Sequence, residues 1–395
     1  MRSIFKIASL LAMAMMAFAC DGLDSTKNDE GNGGVNKNEE GNGGVNAGDV
    51  KSLVLMSDKD VIQADGKDAA VLRVIYDGKD VTTDAVIYND KDEVQSLTEG
   101  KFTTTAVGEY KFYAEYGTVT TYDKNADDKG FYVIKAISVP VPVAVQDEEP
   151  SSTSFVHRAF LTQYTGTGCK FCPLMVKVIR DLMAKNVIPE KAVHAAVHSY
   201  GAGDPAFISA PRVTNYPYLT LDIVQGFNAE QGGDHLEELI EKHSSGPAKA
   251  GISVTPAYYE KEGILVVRVA VKAAVEGLFN VGAWLLENDV YGQQAVYEQY
   301  RNFTDESYNT HENCVRVADS KYMGTWFGHA LGTLAKGETA ERTFVMNIDG
   351  KWKMENLHLA VFASYGESED SKIVYTVCNA VDAPVDAPTP FEYEK

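Results

Sequence analysis

The sequence predicts a β-rich protein of several domains, in which an α/β unit lies between two β-sandwiches. A chain of 395 residues is long enough for two or three domains of about 150 residues each. Short alternating runs dominate residues 50–145 and 247–395, whereas amphipathic helical spacing occurs within residues 151–246. The 33 glycines and 21 tyrosines favour turn-rich β structure, and an apolar share of 45% is enough to bury cores.

The charge balance excludes one class of partner. The chain carries 36 basic and 56 acidic side chains, a formal net charge of −20. Binding to nucleic acid requires clustered lysine and arginine to neutralise phosphates, so no nucleic-acid partner is predicted. The same excess of acid argues against purely electrostatic attachment to anionic lipid.

The first 19 residues are predicted to be a signal peptide. Arg2 and Lys6 form a basic start, and Ile7–Ala19 is an apolar run. As a helix this run would reach about 20 Å, which is shorter than a hydrocarbon core of about 30 Å. Its last residues, Ala-Phe-Ala-Cys ending at Cys20, resemble a bacterial lipobox. We therefore expect lipid on Cys20; the alternative is ordinary cleavage, with Cys20 incidental.

Residues 20–49 are predicted to be a lipidated, flexible tether. They contain almost no large apolar side chains and include a near-repeat at 28–36 and 38–46. Such a sequence cannot bury enough surface to offset its ordering entropy. A calcium-binding glycine/aspartate repeat is the alternative, but two short copies are too few for one. No later stretch is apolar and long enough to span a membrane, so membrane attachment is assigned to Cys20.

Residues 50–145 are predicted to form an antiparallel β-sandwich. Leu72 and Val74 would share one strand face, as would Tyr110 and Phe112 on a later strand. The phrases ADGKDAAVLRV and GEYKFYAEYG are similar to bacterial immunoglobulin-like (Ig-like) repeats of surface proteins. The resemblance implies an Ig-like fold and, for function, a spacer rather than a binder.

Residues 151–246 are predicted to form an α/β unit, after a proline- and acid-rich linker at 140–150. Helical spacing and strand-like runs alternate there within about 90 residues. The predicted strands are 157–164, 192–199 and 218–223, and the predicted helices are 172–185 and 233–243.

Cys169 and Cys172 form a CxxC motif between a predicted strand and a predicted helix, the context of a thioredoxin-like redox pair. Free backbone N–H groups at the helix start, together with Lys170, would favour a thiolate on Cys169. Cys172 would then resolve mixed disulfides. Resemblance to thioredoxin-like domains further implies a cis-proline at Pro217, beside the pair.

Two departures from thioredoxins affect the predicted chemistry. Gly168 stands where thioredoxins have tryptophan, and Gln163 stands where they have a buried, proton-accepting carboxylate. A neutral amide cannot accept a proton, which counts against fast dithiol reduction. Thiol–disulfide exchange, a structural disulfide and a zinc half-site all remain open, although the chain has no second CxxC to complete a zinc site.

His194 and His198 are spaced four residues apart in a predicted strand. They would share a face but lie about 13 Å from each other, too far to share one metal ion. His198, near the end of that strand, could approach the redox pair and tune it; the alternative is a packed polar residue. No metal site and no cofactor are predicted.

Residues 247–395 are predicted to form a second β-sandwich of six to eight strands. It contains the two remaining cysteines, Cys314 and Cys378. Because the predicted compartment favours disulfides, we expect a Cys314–Cys378 bridge, with two buried free thiols as the alternative.

Residues 155–385 resemble the twenty-eight-kilodalton outer-membrane protein family, lipoproteins of anaerobic Gram-negative bacteria. The resemblance rests on FLTQYTGTGCKFCP, AVHS, YPYLTLD, WLLENDVYGQQ (284–294) and THENCVRV (310–317). It implies an outer-membrane lipoprotein on the periplasmic or cell-surface face, with envelope or surface proteins as partners. Two functions follow: thiol–disulfide exchange through Cys169, Cys172 and Pro217, or non-catalytic binding with a structural disulfide. Whether the protein is an enzyme stays open between them.

Overall fold

A computed structural model describes residues 53–395, apart from 78, 126–128, 211–212, 214, 319–326 and 370–371. The predicted signal peptide, Cys20 and the tether lie outside the described residues. In the described part the strands form five sheets. The predicted β-rich architecture with several sheets is therefore confirmed.

The first β region is a sandwich of two sheets with one core. Its strands are β1 Leu53–Ser57, β2 Val61–Gln63, β3 Ala70–Tyr76, β4 Lys79–Asp80, β5 Val86–Asn89, β6 Lys101–Phe102, β7 Gly108–Tyr116, β8 Val119–Thr120 and β9 Tyr132–Ile137. One sheet has the order β1-β3-β4 with β6 on β3, and the other has the order β2-β9-β7-β5 with β8 on β7. Leu72 and Val74 from the first sheet pack with Phe112 from the second, as the alternation predicted.

The α/β region is built around a parallel strand pair joined by a helix. Its elements are β10 Ala159–Thr165, α1 Cys172–Ala184, α2 Val187–Glu190, β11 Ala192–His198, β12 Tyr218–Leu221, β13 Gln225–Phe227 and α3 Gly233–His243. β10 and β11 are parallel, whereas β12 is antiparallel to β10. Met175 and Leu182 of α1 pack with Leu236 of α3 against Leu161 of β10. The sequence therefore predicted each long helix to within one residue.

Ten strands belong to the C-terminal region in its described residues. They are β14 Ala250–Tyr259, β15 Ile264–Ala273, β16 Gly277–Glu287, β17 Val290–Tyr291, β18 Thr310–His311, β19 Cys314–Ala318, β20 His329–Leu334, β21 Thr339–Asn347, β22 Leu357–Glu369 and β23 Lys372–Pro384. The sheet β14-β15-β21 shares a core with β16, β22 and β23. Val254, Val267, Phe279 and Val361 are among its fully buried side chains.

One sheet crosses the predicted domain boundary at residue 246. Its strand order is β13-β12-β10-β11-β19-β16-β22-β23, with β20 also paired to β16. The junction is a short parallel contact in which Ala196 lies opposite Cys314, and the Ala196 N–H donates to Asn313 O at 2.8 Å. This junction brings the loops around β17, β18 and β19 against the end of β10, where the CxxC lies.

The predicted linker at 140–150 is fixed along the three-stranded sheet. The Tyr259 hydroxyl donates to Pro140 O at 2.7 Å, and Lys272 Nζ donates to Pro150 O at 2.8 Å. The first sandwich also contacts this sheet, through an ion pair of 2.8 Å between Arg342 and Asp60. The first sandwich and the C-terminal sheet are thus packed together.

Candidate functional site

The CxxC lies where β10 ends and α1 begins. The chain turns after Thr165, and α1 starts at Cys172 with Pro173 in its first turn, where the missing proline N–H costs no hydrogen bond. Cys169 and Cys172 are joined in a disulfide with an S–S distance of 2.04 Å. Both residues are buried: Cys169 is 2% exposed and Cys172 is fully covered. The predicted placement at a helix start is confirmed, but the pair is oxidised and enclosed.

Residues 290–303 of the C-terminal region, which we call the strap, run across the CxxC loop. The Gln294 amide nitrogen donates to Cys169 O at 2.9 Å and to Thr167 O at 3.2 Å. The backbone N–H of Ala295 donates to Thr167 O at 2.7 Å, and that of Tyr297 donates to Lys170 O at 2.9 Å. The strap therefore binds the loop through the loop's own carbonyl groups.

Aromatic rings extend this contact at the surface. Phe171, between the two cysteines, packs against Tyr297 with ring centroids 4.9 Å apart, and Tyr300 lies 6.4 Å from the same ring. Phe171 and Tyr297 are nevertheless 48% and 39% exposed. The outer side of the strap is thus an aromatic surface next to the disulfide.

Pro217 lies in the segment that leads into β12. The Tyr216–Pro217 peptide bond is cis. Tyr216 contacts the ring of Tyr200 at 5.2 Å, and Tyr200 in turn lies against Gly168. Tyr200 therefore stands between the proline segment and the CxxC loop.

The ring nitrogens of His198 bond to residues other than Cys169 and Cys172. Its Nδ1 lies 2.9 Å from the Asp204 carboxylate, and its Nε2 lies 3.5 Å from Cys314 Sγ. Burial opposes the charge on Asp204, but hydrogen bonds from His198 and from the Thr167 N–H outweigh it and lower the pKa of Asp204. Both ring nitrogens of His198 therefore have a partner, the Asp204 carboxylate at Nδ1 and the Cys314 sulfur at Nε2. Asp204 thus connects the His198 side chain to the CxxC loop through the Thr167 N–H.

The Cys314, His198 and Asp204 side chains have the order of a thiol–imidazole–carboxylate triad. Cys314 is completely buried, and burial raises the pKa of its thiol far above the ordinary range. A protonated thiol without solvent access is not a nucleophile. The three residues form a hydrogen-bonded part of the core.

The predicted Cys314–Cys378 disulfide does not form; both cysteines are free and buried. Cys314 lies on β19 and Cys378 on β23, and β16 and β22 separate them in the sheet. Three strand spacings amount to about 14 Å, whereas a disulfide requires Cα atoms within about 7 Å. The alternative of two buried free thiols is the one observed.

A cavity of about 40 Å³ lies between α1 and the sheet; its lining is mostly apolar but includes Gln163, His194 and His311. His194 Nε2 donates to Gln163 Oε1 at 3.0 Å, and Asn313 Nδ2 donates to His194 Nδ1 at 2.9 Å. Gln163 Nε2 is buried without a protein partner among the described residues, and the cavity is large enough for water to bind it. Burial lowers the pKa of His194 to about 3 and also lowers that of His311.

The described residues form no evident metal-binding site. Within its described part, no three histidine, cysteine, aspartate or glutamate side chains converge in a way that could hold one. The two CxxC sulfurs are bonded to each other, and His194 and His198 have separate protein partners.

The fold and the site together define a β-rich protein with several sheets and an α/β unit that carries an enclosed CxxC disulfide. In the described residues, no helix is both long and apolar enough to cross a membrane.

No protein-family model matches the chain, and a search of curated proteins finds no match either. Among solved structures, the chain is similar to HBP35 of Porphyromonas gingivalis, with a TM-score of 0.45 and 17% sequence identity. The similarity covers 61% of this chain and 79% of that one. Similarity at this level assigns neither a family nor an activity.

Two site residues were not recognised in the sequence. Gln294 ends the phrase WLLENDVYGQQ, which carried the family resemblance but gave no reason to place it on Cys169. Asp204 lies in a loop of ordinary composition, and no local signal marks it as the partner of His198. The contacts of Gln294 with Cys169 and of Asp204 with His198 both depend on the tertiary fold.

Proposed function

We propose that the protein is a lipid-anchored protein of the bacterial envelope in which the CxxC is a structural disulfide and the β regions serve binding, not catalysis. The observation that carries the proposal is the burial of both cysteines of the disulfide, in a loop to which the strap is hydrogen-bonded. Thiol–disulfide exchange requires a thiolate to reach a disulfide sulfur, and an enclosed disulfide resists such attack. The partner would be another envelope or surface protein, recognised through the exposed β regions.

The α/β region is proposed to be a thioredoxin-like module. Its strand order β11-β10-β12-β13, its CxxC at the start of α1 and its cis Tyr216–Pro217 bond support this assignment. The first sandwich is proposed to be an Ig-like spacer, and the whole chain a relative of the twenty-eight-kilodalton outer-membrane proteins. Lipid on Cys20 would place the protein in the outer membrane, on its periplasmic or cell-surface face.

The second candidate function is thiol–disulfide exchange with envelope proteins. It is favoured by the position of the pair at a helix start, where backbone N–H groups stabilise a thiolate once the disulfide is reduced. Cys169 would be the nucleophile, Cys172 the resolving cysteine, and Pro217 would shape the substrate groove.

Trapping distinguishes the two candidates. A Cys172→Ser variant leaves Cys169 without its resolving partner, so any exchange would accumulate as mixed disulfides. With a structural disulfide, we expect this variant to capture no more envelope protein than the Cys169→Ser/Cys172→Ser control on non-reducing gels. Capture that depends on Cys169 would contradict the structural assignment and support exchange.

Membrane attachment is tested at the other end of the chain. In a bacterial host, wild-type protein should fractionate with membranes and carry a mass increase from lipid on its N-terminal fragment. A Cys20→Ala variant should lose both properties, because no second anchor is predicted. If Cys20→Ala stays in the membrane fraction, Cys20 is not the anchor.

A further inference from the structure

We infer that the strap is a cover over the CxxC disulfide, and that it must lift from the loop before a thiol can reach the sulfurs. This inference goes beyond the proposed function, since a strap can guard a structural disulfide as well as a catalytic one.

The strap is held at its start, beyond its end and by a hydrogen bond of 2.9 Å from the Gln294 backbone N–H to Asn309 Oδ1, and it meets the CxxC loop through few contacts. Its start is held by pairing of Val290 with His311 and by a hydrogen bond of 2.9 Å from His311 Nε2 to Gly292 O. Beyond its end, Arg180 of α1 donates to the Ser307 hydroxyl at 2.9 Å. The part in between meets the loop through hydrogen bonds to carbonyl groups and through Tyr297.

Gln294 is the central contact of the cover. Its amide nitrogen donates to the carbonyl groups of Thr167, Cys169 and Ala295, and the residue is only 7% exposed. All three acceptors are oxygens, so a side chain without N–H groups has no favourable interaction there. Lifting the strap breaks these bonds without breaking any covalent bond of the loop.

The reaction that reports on the cover is reduction by a small dithiol. A dithiothreitol thiolate attacks one protein sulfur, the S–S bond breaks, and the other protein sulfur leaves as a thiolate. The second dithiothreitol thiolate then attacks the mixed disulfide. Dithiothreitol is oxidised to its cyclic disulfide, and Cys169 and Cys172 are reduced to two thiols.

The test compares Gln294→Glu with Gln293→Glu, the same substitution at the exposed neighbouring glutamine. In Gln294→Glu the introduced carboxylate would turn its oxygens toward carbonyl oxygens, so we expect reduction of the oxidised full-length protein to be at least about tenfold faster. Gln293→Glu should stay within about twofold of wild type. Reduction is followed by rapid alkylation and mass spectrometry.

A second variant and a reference peptide keep the test decisive. Tyr297→Ser removes the ring from Phe171 on the exposed side of the strap and should also accelerate reduction, while thermal denaturation verifies its fold. A peptide of residues 165–174 gives the rate for an uncovered CxxC. The inference is overturned if wild type is reduced as fast as this peptide, or if folded Tyr297→Ser and Gln294→Glu keep the wild-type rate. The reduction rates test the cover, whereas mixed-disulfide capture by Cys172→Ser tests the structural disulfide. One proposal can therefore fail without the other.

Discussion

Replacing Lys272 with methionine is expected to lower the free energy of unfolding by about 2 kcal/mol, because it removes the buried cation of an ion pair whose carboxylate is partly exposed. Lys272 is 1% exposed, and its Nζ donates to Asp147 Oδ2 at 2.8 Å and to Pro150 O at 2.8 Å. Burial opposes the charge on Asp147, but hydrogen bonds from Lys272 and Tyr393 outweigh it and lower the pKa of Asp147. Methionine fills the space but removes the donor to Asp147 Oδ2 and Pro150 O, while Tyr393 still donates to Asp147 Oδ1.

The measurement is urea unfolding at neutral pH, with Lys177→Met as the matched control. Lys177 forms an exposed pair with Asp181 one helical turn away, so its replacement should cost no more than about 0.5 kcal/mol. The linker at 140–150 should also become more sensitive to protease in Lys272→Met, since Lys272 fixes its end. Equal losses in the two variants would mean that the buried pair does not hold the linker to the sheet.

The fold was predictable where local pattern decides the structure. Period-two alternation identified the buried face that Leu72 and Val74 share, and helical spacing identified Gly233–His243 to the residue. These features depend on neighbours a few positions apart. The contact of Ala196 with Cys314 joins residues far apart in the chain, and no local pattern encodes it.

The same difference between local patterns and long-range contacts explains which features of the CxxC site could be predicted. Spacing and the start of a helix predicted where Cys169 and Cys172 lie. The contact of Cys169 with Gln294, 125 residues further along, was not predictable, because no local pattern links the two residues. The expected Cys314–Cys378 bridge was wrong for a related reason: oxidising surroundings favour a disulfide, but strand order decides whether two cysteines can meet.

The continuous sheet determines which residues surround the CxxC. Because β19 pairs with β11, the segment before it returns across the end of β10 and supplies both the strap and His311. A free α/β unit of this kind would expose the start of α1. Here the strap of the C-terminal region contacts the CxxC loop at this point. The reactivity of Cys169 and Cys172 therefore depends on a region to which neither cysteine belongs.

Acidification from pH 7 to pH 4 is expected to lower the free energy of unfolding by about 3 kcal/mol through His194 alone. Burial lowers the pKa of His194 to about 3, whereas an unfolded histidine titrates near 6.5. Below pH 6.5 the unfolded chain therefore binds a proton that the folded chain does not. This penalty is absent above pH 7, grows as the pH falls, and levels off near pH 3.

The test compares the pH dependence of urea unfolding in wild type and His194→Gln. Glutamine does not titrate, so the variant should lose about 3 kcal/mol less than wild type between pH 7 and pH 4, whatever its stability at pH 7. Comparing losses within each protein cancels the constant cost of the substitution. His235→Gln, on the exposed side of α3, removes a histidine outside the core and should keep the wild-type slope. Parallel curves for His194→Gln and wild type would mean that His194 takes up a proton within the folded protein, and that the hydrogen bonds from His194 to Gln163 and from Asn313 to His194 rearrange to allow it.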